Sequence, residues 1–177
     1  SSESEQAVFK FLKEKNIETF TTGDLCGVVA EHPASLDFLN RMRKIYVFAC
    51  NRRAVKSLLE FAGVRFDDKD LHVINMRESV IDQLKQMGLE LNNASGSEGF
   101  SVNEISSSQE QWVPWYPVID RERCVNCRQC MNFCLFGVYD TDNSGGIYVR
   151  RPKACKTNCP ACARVCPANA IIFAKHK

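Results

Sequence analysis

Apolar and polar residues alternate along the first 90 positions with periods that predict helices and strands in turn. Val8, Phe11 and Leu12 recur with helical spacing, and Ser2 with Glu5 forms the pattern of a capping box ahead of them. The whole pattern predicts helices at 4–16, 34–44, 52–63 and 77–88 and strands at 17–21, 45–50 and 71–75. This order predicts an α/β N-terminal domain, residues 1–91, with a small parallel sheet flanked by helices.

The pattern then changes twice. Residues 92–111 hold six Ser, two Gly and three Asn, which predicts a linker. From Trp112 the stretch "WVPWYPVID" leads into a strand, and "YDTDNSGGIYVRR" predicts a hairpin that turns at 143–146. We therefore expect a second domain at 112–177.

Composition narrows the class of protein. A chain of 177 residues, 45% hydrophobic and 25% charged, is expected to be globular with one or two domains. It has no apolar run long enough to span a bilayer, and its polar, acidic start is not a signal peptide, so we expect a cytoplasmic protein without membrane insertion. The first residue is not Met, which leaves a processed N-terminus open.

Eight of the ten cysteines lie between residues 124 and 166, and this grouping indicates metal ligation. The first run, Cys124 to Cys134, and the second run, Cys155 to Cys166, each have four cysteines. In this spacing three thiolates of a run hold one iron-sulfur cubane while its fourth cysteine ligates the other cubane. The ligand sets predicted are Cys124, Cys127, Cys130 and Cys166 for one [4Fe-4S] cluster, and Cys134, Cys155, Cys159 and Cys162 for the other. Two structural zinc sites using the same thiolates are the alternative, although zinc knuckles require pairs of cysteines.

Charge divides the chain in the same way. Residues 1–113 carry a net charge of -4 and residues 114–177 a net charge of +6. Each oxidised cluster with four thiolates carries a formal charge of about -2, so the basic residues are expected to act as internal counter-charge. No nucleic-acid-binding motif accompanies them, and we expect no nucleic-acid partner, whereas steering of an acidic redox partner stays open.

On these motifs, residues 114–177 resemble the bacterial-type two-[4Fe-4S] ferredoxins, which implies an α+β ferredoxin-like fold with two pseudosymmetric halves. The internal repeat "CLFGVY" and "CPANAIIF" fits such halves. The chain departs from the family pattern at Leu135, where Pro is usual, at Arg128, where a small residue is frequent, and in the gap after Cys155, which is one residue longer. None of these changes removes a ligand.

Two further cysteines lie in the N-terminal part. Cys50 ends a predicted strand before a predicted helix, a position that would lower its thiol pKa, and Cys26 in "DLCG" is expected near the same edge of the sheet. Both are candidate reactive thiols, with burial in the core as the equal alternative.

Residues 17–80 resemble the N-terminal region of the heterodisulfide reductase large subunit. The likeness rests on "DLCG", "IYVFACNRRAVKSLLEFAG" and "LHVINMRES", in that order. This resemblance implies that a further cluster could bind here, but Cys26 and Cys50 would need additional ligands, such as His32 or residues of another subunit. The dinucleotide-binding glycine motif is missing, so no flavin or nucleotide is predicted.

Together these patterns predict an electron-transfer protein of ferredoxin type, which passes single electrons between redox partner proteins with or within a larger oxidoreductase. The N-terminal domain would serve for docking or sensing. No catalytic motif is present, so we expect no activity from the chain alone. The alternatives are a thiol-redox enzyme or sensor that uses Cys50 and Cys26, and a zinc-binding interaction module.

Overall fold

The computed structural model describes residues 8, 11, 12, 18–89, 102–105 and 112–174. The chain is a mixed α/β protein with small sheets. In chain order its elements are β1 (Thr19–Thr21), α1 (Leu25–Glu31), a 3-10 helix (Pro33–Arg41), β2 (Ile45–Ala49), α2 (Arg52–Phe61), β3 (Leu71–Asn75), α3 (Val80–Gln86), β4 (Val102–Glu104), β5 (Pro117–Ile119), α4 (Gln129–Phe133), β6 (Tyr139–Thr141), β7 (Ile147–Val149), a second 3-10 helix (Pro152–Ala154), α5 (Ala161–Arg164) and β8 (Ile171–Phe173).

The N-terminal strands pair in parallel, as the order of elements predicts. β2 pairs with β3 in the register Ile45 to Leu71, and α2 connects the two strands. β1 pairs with β4 instead of joining this sheet, so the described residues form two parallel pairs rather than one sheet. β4 lies within residues 92–111, where the sequence predicts a linker, and it adds a strand to β1. The division into domains at 1–91 and 112–177 stays a prediction.

Local polar contacts decide where the helices begin and end. α2 begins after Asn51, whose side chain accepts a hydrogen bond from Arg53 N, and it ends before Gly63, which adopts a φ of 84°. α3 begins at Val80 rather than at the predicted residue 77, because Ser79 accepts from Asp82 N at its N-terminus.

The segment predicted as a helix at 34–44 is a 3-10 helix over Pro33–Arg41. Its first turn closes through a hydrogen bond from Ser35 N to the His32 carbonyl, three residues back. With three residues per turn, Leu36 and Leu39 fall on the same side and both contact the apolar core. The capping box at Ser2 and Glu5 lies outside the described residues.

The C-terminal part is antiparallel. β6 and β7 form the predicted hairpin, with Tyr139 opposite Val149. β5 and β8 form the second pair, with Ile119 opposite Ile171, which joins the start of this part to its end. The helices α4 and α5 each carry part of one cysteine run and contact each other.

Three apolar clusters stabilise the fold. The first unites Val28, Val55 and Leu58 of the N-terminal part with Tyr116 and Val118 of the C-terminal part. The second lies within the C-terminal part and contains the residues Trp115, Ile119, Val138, Tyr139, Ile147, Val149, Ile171 and Phe173 with Cys130 and Cys162. The third buries Val8, Phe11 and Leu12 against α3 and β3, which confirms the prediction that these three residues share a face. The two parts of the chain therefore share a core.

Polar contacts join the same two parts. Arg53 of α2 donates to the Asp120 carboxylate at 2.5 Å and to the Asn169 carbonyl, and Lys56 pairs with Glu122. Tyr116 donates its hydroxyl proton to the Cys26 carbonyl at 2.7 Å. Among the described residues, no helix combines the length and apolar character that a membrane crossing requires.

Candidate iron-sulfur centre

The first cysteine run lies on an irregular loop that leads into α4. Cys124 and Cys127 are in the loop, Cys130 is in the helix and Cys134 caps its C-terminus. Asn126 and Arg128 hold left-handed backbone conformations, with φ of 54° and 63°. The Asn126 side chain donates to the Gly145 carbonyl at 2.9 Å and accepts from Ile147 N at 3.1 Å. The hairpin turn therefore fixes the shape of the loop.

The second run has the same construction despite its extra residue. Cys155 follows the second 3-10 helix, Cys159 precedes α5, Cys162 is in α5 and Cys166 follows it. A turn from Lys156 to Cys159 closes through a backbone hydrogen bond of 3.1 Å. Asn158 before Cys159 has a φ of 62°, as Asn126 before Cys127 has 54°. The turn accommodates the additional residue upstream of a matching left-handed asparagine.

Two cavities open beside these runs, and we call them the larger and the smaller cavity. The larger cavity, of about 550 Å³, is lined by Cys134, Cys155, Cys159 and Cys162. The smaller cavity, of about 10 Å³, is lined by Cys124, Cys127, Cys130 and Cys166. Each cavity thus receives three cysteines from one run and the last cysteine of the other. The tertiary structure brings together the two sets of four that the spacing groups, and their role as ligands stays a prediction.

Burial and one backbone contact determine the chemistry of these thiols. Burial raises the pKa of Cys130 to about 11 and that of Cys155 to about 12, and burial also raises the pKa of Cys162. Iron binds the thiolate, so iron in either cavity must displace these protons. Ala170 N donates to Cys166 Sγ at 3.3 Å, a contact of the kind that stabilises sulfur ligands of iron-sulfur clusters. Two groups of four thiols are the donor set that two [4Fe-4S] clusters would require.

The geometry differs from that of a site for one ion. Within 18–89, 102–105 and 112–174, no three His, Cys, Asp or Glu side chains converge closely enough to hold a single metal ion. A zinc ion places all its sulfurs about 2.3 Å from one centre. A cubane instead binds each sulfur to a different iron, and so spaces the four thiolates more widely.

The remaining two cysteines lie in the N-terminal part, away from the walls of both cavities. Cys26 is in the first turn of α1, where its backbone N–H donates to the capping Asp24 carboxylate at 3.1 Å. Cys50 lies between β2 and α2, one residue beyond the end of the strand to which the sequence assigns it. Both are half-buried against the core that contains Val28 and Val55. His32, at the end of α1, is exposed.

Several basic residues of the C-terminal part bond within that part. Arg121 donates to the Ile147 carbonyl, Arg151 to the Gly137 carbonyl, and Arg150 pairs with Asp140 at 2.6 Å. Lys156 and Arg164 instead line the larger cavity, and neither forms an ion pair within the described part of the chain. Some of the positive charge is thus held in internal contacts, while part of it borders the larger cavity.

Two features of the larger cavity were not predicted from the sequence. Phe133, Leu135 and Phe136 line it and are 55%, 92% and 41% exposed, which makes its rim an apolar patch. The departure from the family pattern at Leu135 could have indicated this patch. Tyr139 also lines the cavity, and burial raises the pKa of its phenol, so its hydroxyl keeps its proton. The sequence pattern predicts Tyr139 as a strand residue of the hairpin and gives no sign that it lines a cavity.

Comparison with known proteins gives consistent matches. The family model described as a 4Fe-4S binding domain matches residues 116–139. An uncharacterized ferredoxin of Methanocaldococcus jannaschii is 48% identical over 66 residues, which are 37% of this chain and 44% of that protein, so the chain spans under half the length of that relative. The pyruvate synthase subunit PorD of the same organism is 35% identical over 69 residues, 39% of this chain and 78% of that subunit. PorD of Methanothermobacter marburgensis is 29% identical over 85 residues, 46% of this chain and 98% of that subunit.

Proposed function

Because this chain belongs to the ferredoxin-type 4Fe-4S proteins, we propose that it carries single electrons through two [4Fe-4S] clusters to or from a larger oxidoreductase. One observation carries the proposal. Each of the two cavities is lined by four cysteines, three from one run and one from the other. This exchange of the fourth cysteine is the arrangement typical of paired cubanes.

The cavity linings support two ligand sets. Cys134, Cys155, Cys159 and Cys162 would hold the cluster of the larger cavity, and Cys124, Cys127, Cys130 and Cys166 that of the smaller cavity. Bound there, the clusters supply reversible one-electron storage. With a cysteine for every iron, the protein leaves no iron position for a substrate, which favours outer-sphere electron transfer over catalysis.

The rim of the larger cavity supports docking of a protein partner. Its exposed side chains Phe133, Leu135 and Phe136 form an apolar centre, and Lys156 and Arg164 add positive charge without acidic neighbours in the lining. This combination fits a partner whose own redox centre is bordered by carboxylates. Electrons would leave or enter through this face.

The relatives suggest the kind of partner. Two of them are named as subunits of pyruvate synthase, and association of this chain with an oxidoreductase is therefore part of the proposal. The N-terminal part would assist by holding the ferredoxin part in place, since Arg53 and Lys56 of α2 bond to Asp120 and Glu122 just before the first cysteine. Docking or sensing by residues 1–91 stays a prediction.

The test begins with the whole chain, purified without oxygen and analysed for iron, acid-labile sulfide and zinc. We expect about eight irons and eight sulfides per chain, from two four-iron clusters. Zinc in place of iron would contradict the proposal, and so would iron and sulfide for a single cluster.

A pair of serine variants tests the exchange of ligands. Cys166→Ser should remove or convert the cluster that uses Cys124, Cys127 and Cys130, although Cys166 belongs to the second run. Cys50→Ser is the matched control and should leave the iron content and the visible spectrum unchanged, because Cys50 lines neither cavity. Damage by Cys166→Ser to the other cluster would refute the assignment.

A further inference from the structure

The segments that follow the two runs match position by position. Residues 134–139 and 166–171 each start at the last cysteine of a run and end in the first residue of a strand. The fourth residue of each segment has a left-handed backbone, with φ of 59° at Gly137 and 48° at Asn169. The fifth residue of each is only 1% exposed, Val138 in one and Ala170 in the other. The sixth positions, Tyr139 and Ile171, are therefore equivalent.

At this equivalent position the two cavities differ in chemistry. Tyr139 lines the larger cavity and Ile171 lines the smaller one. Ile171 presents only methyl and methylene groups, whereas Tyr139 presents a hydroxyl. An otherwise repeated structure thus places a hydrogen-bond donor beside one set of four cysteines and a hydrocarbon beside the other.

The Tyr139 hydroxyl is buried beside the larger cavity and lacks a hydrogen-bond partner within the described residues. The side chain is 6% exposed, and its oxygen has no hydrogen-bond partner, sulfur included, among the described residues. Tyr139 and Cys162 line the same cavity, and burial, followed by the Cys162 thiol, raises the pKa of the Tyr139 phenol. A buried phenol without a partner is costly, which makes a sulfur acceptor at this point favourable.

We infer that the Tyr139 hydroxyl donates a hydrogen bond to the sulfur of Cys162 as an iron ligand, and that it makes the larger-cavity cluster the more easily reduced of the two. This inference rests on the proposed function. Reduction adds one electron, which the partner oxidoreductase supplies, and increases the negative charge on the ligand sulfurs. A donor at sulfur stabilises that charge, so the equilibrium shifts towards the reduced form. The proton stays on Tyr139, and no bond is made or broken.

The difference between the two cavities favours the electron at the larger-cavity cluster. The smaller cavity has a backbone donor, Ala170 N, at Cys166, but it lacks a hydroxyl at the position of Tyr139. The larger cavity combines Tyr139 with the exposed rim of Phe133, Leu135 and Phe136. An electron shared between the clusters would then collect at the face where a partner docks.

Tyr139→Phe isolates the hydroxyl because it keeps the ring and its packing. Tyr148→Phe is the matched control, since Tyr148 lies on the paired strand between the buried Ile147 and Val149 and lines neither cavity. Both variants and the unchanged chain are loaded with iron and sulfide, and both reduction couples are measured by potentiometric titration followed by electron paramagnetic resonance. Cysteine β-proton shifts in paramagnetic NMR spectra assign each couple to its cluster.

We expect Tyr139→Phe to lower the reduction equilibrium constant of the larger-cavity cluster by between about two-fold and ten-fold, the range for one hydrogen bond. A ten-fold change corresponds to about 59 mV for one electron. The other couple, and both couples of Tyr148→Phe, should stay in place. The β protons of Cys162 should shift and those of Cys166 should not.

The outcomes separate the two claims. If the unchanged chain holds fewer than two clusters, the proposed function fails and this inference fails with it. If it holds two clusters and Tyr139→Phe moves neither couple, or moves both equally, the inference alone is wrong. A fully loaded Tyr139→Phe protein in which the smaller-cavity couple is the one that moves would likewise overturn it.

Discussion

Arg53 forms two of the polar contacts that join the N-terminal part to the cysteine-bearing part. It lies on α2, and it donates to the Asp120 carboxylate at 2.5 Å and to the Asn169 carbonyl. Asp120 is buried, and burial alone would raise its pKa, but the hydrogen bond and charge of Arg53 hold that pKa below its usual value. Arg53→Ala would leave this carboxylate charged and without its main partner.

The cost can be worked from the exposure of the two groups. Removing one partner of a buried ion pair costs about 3–5 kcal/mol. The Arg53 side chain is 37% exposed, so the attraction is screened, and Asp120 keeps hydrogen bonds from the backbone N–H groups of Glu122 and Arg123. These two facts reduce the expected loss to about 2 kcal/mol. For a chain of this size, that loss lowers Tm by about 4–8 °C.

The assay is thermal unfolding of the cluster-loaded chain without oxygen, followed by far-ultraviolet circular dichroism. Cluster loss makes unfolding irreversible, so all variants are compared at one scan rate. Arg77→Ala is the control, because Arg77 is exposed and its side chain has no hydrogen bond or ion pair within the described residues. That variant should change Tm little.

A double-mutant cycle tests whether Arg53 and Asp120 stabilise the protein through their contact with each other. Asp120→Asn and Arg53→Ala act on the same contact, so the double variant should lose clearly less stability than the two single losses added together. Additive losses would show that Arg53 and Asp120 contribute independently. An Arg53→Ala protein as stable as the Arg77→Ala control would contradict the reasoning altogether.

Other contacts lead to further predictions. Tyr116→Phe removes the hydroxyl that donates to the Cys26 carbonyl, so it should cost about 1 kcal/mol and lower Tm by about 2–4 °C in the same assay; an unchanged Tm would mean that this hydrogen bond does not stabilise the junction. Gly137→Ala should destabilise by at least about 1 kcal/mol, because Gly137 has a φ of 59° and a Cβ there would lie 2.6 Å from Arg151 Nη2; Gly23→Ala, which meets no atom within 4 Å and has no positive φ, is its control. Lys156→Glu with Arg164→Glu should slow electron exchange with an acidic redox partner and reverse its dependence on salt while iron content stays constant; rates that do not change would place docking elsewhere. Removal of iron by chelation under oxidising conditions should increase amide hydrogen exchange in α2 as well as in α4 and α5, because Tyr116 and Val118 belong to the core that contains Val55; full retention of protection in α2 would show that its core is independent.

Much of the secondary structure was predictable from local patterns. The strand at 71–75 was predicted with its exact bounds, and Ile45–Ala49 and Arg52–Phe61 were predicted to within two residues, because apolar periodicity and the cap at Asn51 act within a few residues. The hairpin of β6 and β7 was predicted from its turn residues. The 3-10 form of Pro33–Arg41 was not, since apolar spacing in a short segment does not separate three residues per turn from 3.6.

The pairing of β4 with β1 shows a different limit. Residues 92–111 are rich in Ser, Gly and Asn, and composition of this kind predicts a linker. Val102–Glu104 nevertheless pairs with Thr19–Thr21, more than 80 residues earlier in the chain. A short strand of mixed composition is stabilised by its partner, and no local pattern encodes that partner.

The sequence by itself determined the chemistry of this protein. Cysteine spacing indicates iron-sulfur chemistry and predicts two sets of four thiols. It does so because three ligands of a cluster come from neighbouring positions, and their spacing is visible in the sequence. Only the tertiary structure decided how the two sets differ. It placed the Tyr139 hydroxyl, an exposed apolar rim and two basic side chains at the larger cavity, and a hydrocarbon at the equivalent position of the smaller one. These residues lie close to the cysteines in the sequence, but their burial, their exposure and the cavity that they line arise only when the chain is packed.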